Sequence, residues 1–235
     1  MIDKKGAVGA IIVAAGKGSR MGLGYNKVLA SLCGKPVIDW TLKSFVHSGI
    51  IDRLILVISP EDEGAMAQVC QNYIDQMEIA MVFGGEDRQD SVYNGLKALD
   101  DNVDVVLIHD GARPFIDRDL IERSVDQAHI HGAACSGMPV KETIKIVDEV
   151  NVIRSTPDRS FLWSAQTPQA FKKDIILEAY SLAFEKGIRA TDDACLAERA
   201  GYSVAMFEGD YRNIKLTSSE DLLLAELFMK KQAGC

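Results

Sequence analysis

Two rhythms of apolar and polar residues alternate along the chain. Short β-branched runs read as buried strands, and the stretches between them carry apolar residues three and four positions apart, as helices do. The first run, ending in Ile11-Ile12-Val13, predicts a strand over 8–14. Residues 36–48 predict a helix, with Pro36 at its start and Gly49 just past its end. RLILVIS (53–59) predicts a second strand, followed by a helix opened by Pro60-Glu61-Asp62, and EIAMVFGG (78–85) predicts a third strand. Arg88 to Leu99 reads as a helix with Val92, Leu96 and Leu99 on one face. VDVVLIHD (103–110) is the most apolar strand and is therefore expected at the centre of the sheet.

The later chain is less regular. After a helix at 118–131, residues 138–165 alternate like two antiparallel strands around Asp148–Asn151, with Pro139 and Pro157 at the margins. Such a hairpin extends beyond a compact body as an arm, suited to packing on a second subunit or to covering a substrate. Helices at 173–185 and 192–200 and strands near 202–207 and 213–216 follow. The final helix is expected to open with a Thr217-x-x-Glu220 capping box and to carry Leu223, Leu227 and Lys230 along one side. The pattern predicts an α/β fold, a mostly parallel twisted sheet flanked by helices, with a protruding β-arm. No linker or repeat divides residues 1–235, so a single domain is expected, with the arm at about 138–165 as a subregion.

Composition narrows the function. A hydrophobic content of 47% and a charged content of 26% are those of an ordinary globular protein, and a net charge of −8 argues against nucleic-acid or membrane partners. The N-terminal apolar run, of about seven residues, reads as the first strand and not as a signal peptide or membrane span. Cys33, Cys70, Cys135, Cys195 and Cys235 are scattered and odd in number, which speaks against a disulfide framework or zinc site and fits a reducing cytoplasm. His129 and His131 lie on different helix faces and are expected at the surface.

The chemistry concentrates where the first strand runs into AAGKGSRMGLGYNK (14–27). Ala14, Ala15, Gly16 and Gly18 let backbone amides approach a ligand, and Lys17, Arg20 and Lys27 add positive charge, a combination suited to a triphosphate. The segment is not a dinucleotide fingerprint, because Met21 stands where the third glycine belongs, and it lacks the Gly-Lys-Ser/Thr of a P-loop. Two further loops fall at the carboxyl ends of predicted strands, where open parallel sheets bind ligands. In Gly84–Ser91, backbone groups and the Ser91 hydroxyl suit a base or ribose, although a capped helix with solvated charges explains the loop equally well. In His109–Pro114, Asp110 faces the phosphate loop and suits Mg²⁺, while Arg113 suits a phosphate of a second substrate. A salt bridge between Asp110 and Arg113 is the competing reading, and His109 is expected to pack or hydrogen-bond. Thr143, Arg159, Thr167, Thr191 and Asp192 stand out among apolar neighbours, but each taken singly reads as a cap or surface group. Lys215, inside a short apolar strand, is expected to point at water or an anion.

With these motifs in place, the sequence resembles the 2-C-methyl-D-erythritol 4-phosphate cytidylyltransferases of the non-mevalonate isoprenoid pathway. The match runs from AAGKGSRMG through GGEDRQDSV, HDGARPF, PVKETIK, PDRSFLWSAQTPQAF and ATDDA to GDYRNIKLT. AAGxGxRMG occurs in many nucleotidyltransferases, whereas HDGARPF with LWSAQTPQ is much more specific. The resemblance implies a Rossmann-like nucleotidyltransferase fold, a homodimer joined through the arm, and Mg²⁺-dependent transfer of CMP from CTP to methylerythritol phosphate. It implies Arg20 and Lys27 as transition-state cations and the 14–18 backbone around the triphosphate. Gly85, Glu86 and Ser91 would surround the cytidine, and Asp110 would lie near the metal. Arg113, Thr143, Arg159, Thr167, Thr191 and Lys215 would line the acceptor and catalytic region, with Thr143 and Arg159 available to the partner's site. Many relatives read Pro-Lys-Gln where this chain has Asn26-Lys27-Val28, which leaves the lysine but removes the conformational restraint before it.

The alternative acceptor on the same scaffold is ribitol 5-phosphate or another sugar phosphate. A nicotinamide-dependent oxidoreductase is disfavoured by the missing third glycine and by Ser59 where an acidic residue should end the second strand. A non-catalytic nucleotide-binding regulator would leave Arg20, Lys27, Asp110 and Lys215 together without a purpose.

Overall fold

The computed structural model describes residues 6–16 and 24–232. Its frame is a seven-stranded sheet built around β1 (Ala7–Val13) and β6 (Val103–Asp110). On one side lie β4 (Arg53–Ile58) and the edge strand β5 (Ile79–Phe83), and on the other β10 (Trp163–Lys172), β7 (Ala133–Pro139) and the edge strand β11 (Ala205–Glu208). The order is β11-β7-β10-β6-β1-β4-β5, which puts β6 in the middle as its hydrophobicity predicts. The strands from β6 to β5 pair in parallel, as do β11 and β7, while β10 runs antiparallel to both its neighbours. A two-stranded ribbon of β2 (Ser31–Leu32) and β3 (Lys35–Pro36), absent from the sequence reading, precedes the first helix.

Burial on both faces explains the continuous apolar runs. On one face Ala10 and Ile12 of β1 and Val105 and Leu107 of β6 pack with α1 (Val37–His47), α2 (Glu63–Gln71) and α4 (Arg118–His131). On the other, Ile11, Val106 and Ile108 pack with α3 (Arg88–Lys97), α5 (Lys173–Glu185) and α6 (Asp193–Arg199). Gly95 lets α3 lie directly on β1, since a Cβ there would stand 2.7 Å from Ile11 Cγ2.

The second half of the chain departs from the pattern its sequence predicts. Both β7 and β10 are sheet strands that it did not anticipate; the former is made of small residues and the latter carries Gln166, Thr167, Pro168 and Gln169. The hairpin expected over 138–165 is therefore rooted in the sheet. Its outer part, β8 (Ile146–Val147) against β9 (Ile153–Ser155), closes over a turn in which Asp148 accepts from the amides of Val150 and Val152. Residues 213–216 form no strand; they are a loop fastened by Leu216 N–H to the Ala112 carbonyl. The last helix, α7 (Ser219–Gln232), is capped one residue later than expected, with the Ser218 and Asp221 amides and side chains bonding reciprocally. Its Leu223 and Leu227 face outward, while Ala225 packs with Leu32, Val37, Phe115 and Leu216. His129 is also less exposed than expected, lying beside Asp104 and Lys172.

Candidate active site

The carboxyl ends of β1, β5 and β6 open into one cleft of about 400 Å³. Ala14, Ala15 and Gly16 form one wall, Gly85, Glu86 and Ser91 another, and Asn26 and Lys27 a third, with Asp110 and Lys215 also lining it. The three loops singled out in the sequence therefore meet at one place. Lys17, Gly18 and Arg20 lie outside the described residues. Ala14 is still part of the sheet, its amide donating to Val57 O at 2.8 Å, so amides that could serve a ligand begin after it.

The second wall is shaped by close approach. A Cβ on Gly85 would stand 2.3 Å from Asp90 Cβ, so the turn into α3 requires glycine there. Asp87 caps α3 by accepting from Asp90 N–H at 2.9 Å. The Ser91 hydroxyl accepts from Gly85 N–H at 3.1 Å and donates to Asp87 O at 2.7 Å, which fixes the loop's curve. The capped helix and the cleft wall are thus the same structure.

Asp110 is the electrostatic centre. Lys215 Nζ stands 2.8 Å from Oδ2, Arg88 Nε 3.4 Å from Oδ1 and Arg113 Nε 3.6 Å from Oδ2. Burial pushes this carboxyl up, but the pull of Arg88, Lys215 and Arg113 outweighs it and holds it well below the usual carboxylate range. The predicted Asp110–Arg113 ion pair is therefore present. Arg113 also donates to Asn213 O at 2.7 Å and lies under the cleft, not in its lining. Lys215 does point at an anion, and the anion is Asp110.

His109 packs beneath. Fully buried, it lies against the Phe45 ring at 5.1 Å, with Nε2 3.2 Å from Arg113 O and Nδ1 3.1 Å from Thr167 Oγ1. Burial pushes its pKa down to about 4, so at neutral pH Nε2–H donates to the carbonyl and Nδ1 accepts the Thr167 proton. The Thr167 hydroxyl in turn accepts from Asp110 N–H at 3.0 Å. Thr167 therefore sits behind Asp110, 4% exposed, and is not part of the cleft lining.

The remaining expected residues are elsewhere in this chain. Thr143 and Arg159 lie on the arm, both exposed, with Arg159 Nη1 donating to Lys141 O. Thr191 is exposed at the start of α6, and the cap it was expected to supply comes from Asp192, which accepts from Cys195 N–H at 3.0 Å.

Two contributors go beyond the expected site residues. Asp193, fully buried, receives both terminal nitrogens of Arg88 at 3.1 and 2.7 Å and the Tyr180 hydroxyl at 2.5 Å. Burial disfavours the charge on Arg88, but Asp193 and Asp110 more than offset it and raise its pKa above the ordinary value. Arg88 thus joins α6 to Asp110 as a fixed cation. Both residues belong to motifs that carried the family resemblance, yet a partner 105 positions away leaves no local pattern. Asn26 is the other. Its amide donates to Ala14 O at 2.6 Å and to Asp62 Oδ2 at 2.7 Å.

Comparison with known proteins agrees with this geometry. The family model described as "IspD: 2-C-methyl-D-erythritol 4-phosphate cytidylyltransferase" matches residues 8–231. A protein of that name from Caldanaerobacter subterraneus subsp. tengcongensis is 46% identical over 95% of this chain and 99% of its own length. One from Alkaliphilus oremlandii is 47% identical over 94% of each chain. Among solved structures, 4-diphosphocytidyl-2C-methyl-D-erythritol synthase from Anaerococcus prevotii superposes with a TM-score of 0.86 at 32% identity, covering 96% of this chain and 99% of that one. The cytidylyltransferase from Thermus thermophilus gives 0.79 at 31% identity, over 95% and 99%.

Proposed function

The chain belongs to the 2-C-methyl-D-erythritol 4-phosphate cytidylyltransferase family, and from that premise we propose how its cleft divides the work. The protein is a nucleotidyltransferase of isoprenoid biosynthesis that transfers CMP from CTP to 2-C-methyl-D-erythritol 4-phosphate, giving 4-diphosphocytidyl-2-C-methyl-D-erythritol and pyrophosphate. The observation that carries the site assignment is the single cleft where Ala15–Gly16, Gly85–Glu86, Lys27, Asp110 and Lys215 converge.

The acceptor is a phosphate monoester, already largely dianionic at pH 7 because its second pKa is about 6. It needs no general base, and His109, neutral and buried, is not placed to be one. What opposes attack on the α-phosphorus is charge repulsion. In this reading the glycine-rich loop cradles the triphosphate, Gly85, Glu86 and Ser91 hold the cytidine, and Arg20, Lys27 and Lys215 stabilise the charge that develops in line. The acceptor oxygen bonds to the α-phosphorus as the bond to the bridging oxygen breaks and pyrophosphate leaves. Arg113, Thr167 and Thr191 support the acceptor side, and Thr143 and Arg159 reach it from a partner's arm.

Asp110 fits magnesium. It lines the cleft together with Glu86 and Asp87, and among the described residues no group of three His, Cys, Asp or Glu is gathered to hold a metal on protein ligands alone. Mg²⁺ is commonly bound in this way, by one or two carboxylates, water and substrate phosphates. The Lys215 ammonium on Oδ2 marks that oxygen as a seat for a cation. A bound ion would neutralise phosphate charge there.

A homodimer is proposed through the 138–165 arm, whose Ile146, Val147, Val150, Val152, Ile153 and Phe161 are exposed. The chain is read as one nucleotidyltransferase domain working in the cytoplasm; among the described residues no helix is long and apolar enough to cross a membrane. The test is pyrophosphate release with CTP, Mg²⁺ and methylerythritol phosphate, beside ATP, GTP, UTP and ribitol 5-phosphate. Turnover confined to CTP and methylerythritol phosphate supports the reading, and turnover on ribitol phosphate instead moves the acceptor.

A further inference from the structure

Asn26 is 5% exposed, and its side chain is bonded at both ends. The amide nitrogen donates to Ala14 O, at the end of β1, and to Asp62 Oδ2, in the short 3-10 turn Pro60–Asp62 that follows β4. The amide oxygen accepts from Val28 N–H at 3.3 Å and so caps the single 3-10 turn Lys27–Leu29, which Leu29 N–H to Asn26 O closes at 2.9 Å. Lys27 is the first residue of that turn and lines the cleft. The backbone φ of Asn26 is −64°, the angle a proline ring would impose, held here by side-chain bonds instead.

We propose that Asn26 is a positioning residue for phosphoryl transfer, fixing Lys27 against the end of β1 through its bonds to Ala14 and Asp62. This rests on the assignment of Lys27 as a transition-state cation. The physical reason lies in the ends of the glycine-rich segment. Ala14 and Asn26 stand 12 positions apart in the sequence, and one hydrogen bond joins them directly. The Asp62 carboxylate adds a charge-assisted bond to the same amide, which ties Asn26 to the turn that follows β4 as well. A lysine is a flexible point charge. Its effect on a transition state therefore depends on where its backbone is held. Burial of the asparagine makes the bonds strong and exclusive, because an unpaired amide in that place would be costly.

The experiment is steady-state pyrophosphate release with Asn26→Ala and Asp62→Ala, each alone and combined with Lys27→Ala, beside thermal unfolding of every variant. Asn26→Ala is expected to lower kcat by about 10- to 100-fold, the range for a misplacement on the order of 1 Å, with KM for both substrates changed less than about threefold. Asp62→Ala, which leaves the Ala14 bond in place, is expected to show a smaller loss of the same kind. In the Lys27→Ala background neither change is expected to lower kcat further, since the group they position is gone. Equal losses in both backgrounds, or wild-type kcat in Asn26→Ala, would overturn the proposal while leaving the role of Lys27 standing. Wild-type turnover in Lys27→Ala would remove both. Should Asn26→Ala fail to fold, Asp62→Ala, at a half-buried position, carries the same comparison.

Discussion

The cleft and the arm are built on opposite principles. In and behind the cleft, charged groups are buried and paired: Asp110 and Asp193 are almost fully covered, and each is held by side chains from other segments. In the arm, apolar residues are exposed, with Val150 at 75% and Phe161 at 83%, and the bonds that shape it are local, such as those from Asp148 to its own turn. A buried ion pair is a poor source of net stability, because desolvation opposes the attraction, but removing one partner is expensive. An exposed apolar ribbon adds nothing to the fold of one chain, and it gains only when another surface covers it. The difference separates what one chain completes alone from what, in the proposed dimer, it would offer to a second copy.

Breaking the cleft should have the largest effects. Asp193→Ala leaves the Arg88 charge buried with one carboxylate fewer, and is expected to cost about 3–5 kcal/mol of folding stability. Urea unfolding of the variant measures it; a change under about 1 kcal/mol would show that the pair is dispensable. Lys27→Ala should leave unfolding unchanged but raise the barrier by about 3–4 kcal/mol, by analogy with the loss of one preorganised donor. Near-wild-type kcat in that variant would refute the assignment.

The pH response should come from the same buried set. His109 titrates near 4 when folded against 6.5 when free, so below 6.5 the unfolded chain binds the additional proton. Its contribution is complete above 6.5 and is lost as pH falls towards 4, by about 3 kcal/mol in total. Asp110, held down when folded, loses stability in the same direction but below its ordinary range. A His109→Gln variant should flatten the slope of stability between those two pH values. An unchanged slope would place the titrating group elsewhere.

The arm should behave in the reverse manner. Val150→Asp with Phe161→Asp is expected to change single-chain folding stability by no more than about 0.5 kcal/mol per site. Sedimentation velocity should nevertheless show a shift from dimer to monomer, with turnover falling if Thr143 and Arg159 serve a partner. An unchanged sedimentation coefficient would move the subunit contact off the arm. Leu227→Lys, on the outward side of α7, is expected to alter neither stability nor assembly.

What the sequence made legible follows from how far its signals reach. The parallel half of the sheet was readable because β6, β1 and β4 are buried on both faces and are written as unbroken apolar runs. The strands β7 and β10 were not, since their burial is achieved with alanine, serine, glycine and bonded glutamines in place of branched side chains. Gln169, for instance, is buried by bonding to Asp192 and Ala194, partners that only the tertiary fold supplies. At the site, the glycine loops and Asp110 announced themselves by strand-end position, while the Arg88–Asp193 pair lies across too much chain for any local pattern. Lys215 does not sit in a strand; its apolar neighbours belong to a loop that Leu216 fastens to Ala112.

The antiparallel course of β10 has a consequence for how the protein is made. As the chain leaves the ribosome, β1, β4, β5 and β6 can pair as soon as Asp110 has emerged, because together they form the contiguous block β6-β1-β4-β5 and need no later strand. The next strand, β7, then finds no partner, since its two neighbours, β10 and β11, are synthesised only after the arm. Asp110 meanwhile waits for the Thr167 hydroxyl behind it and for Lys215 beside it, which come later still. A nascent or truncated chain would thus hold a carboxylate braced by Arg88 and Arg113 alone, beside an uncovered sheet edge, the kind of surface on which chaperones act. With the role proposed for Lys215, competence would arrive only once that residue has been added.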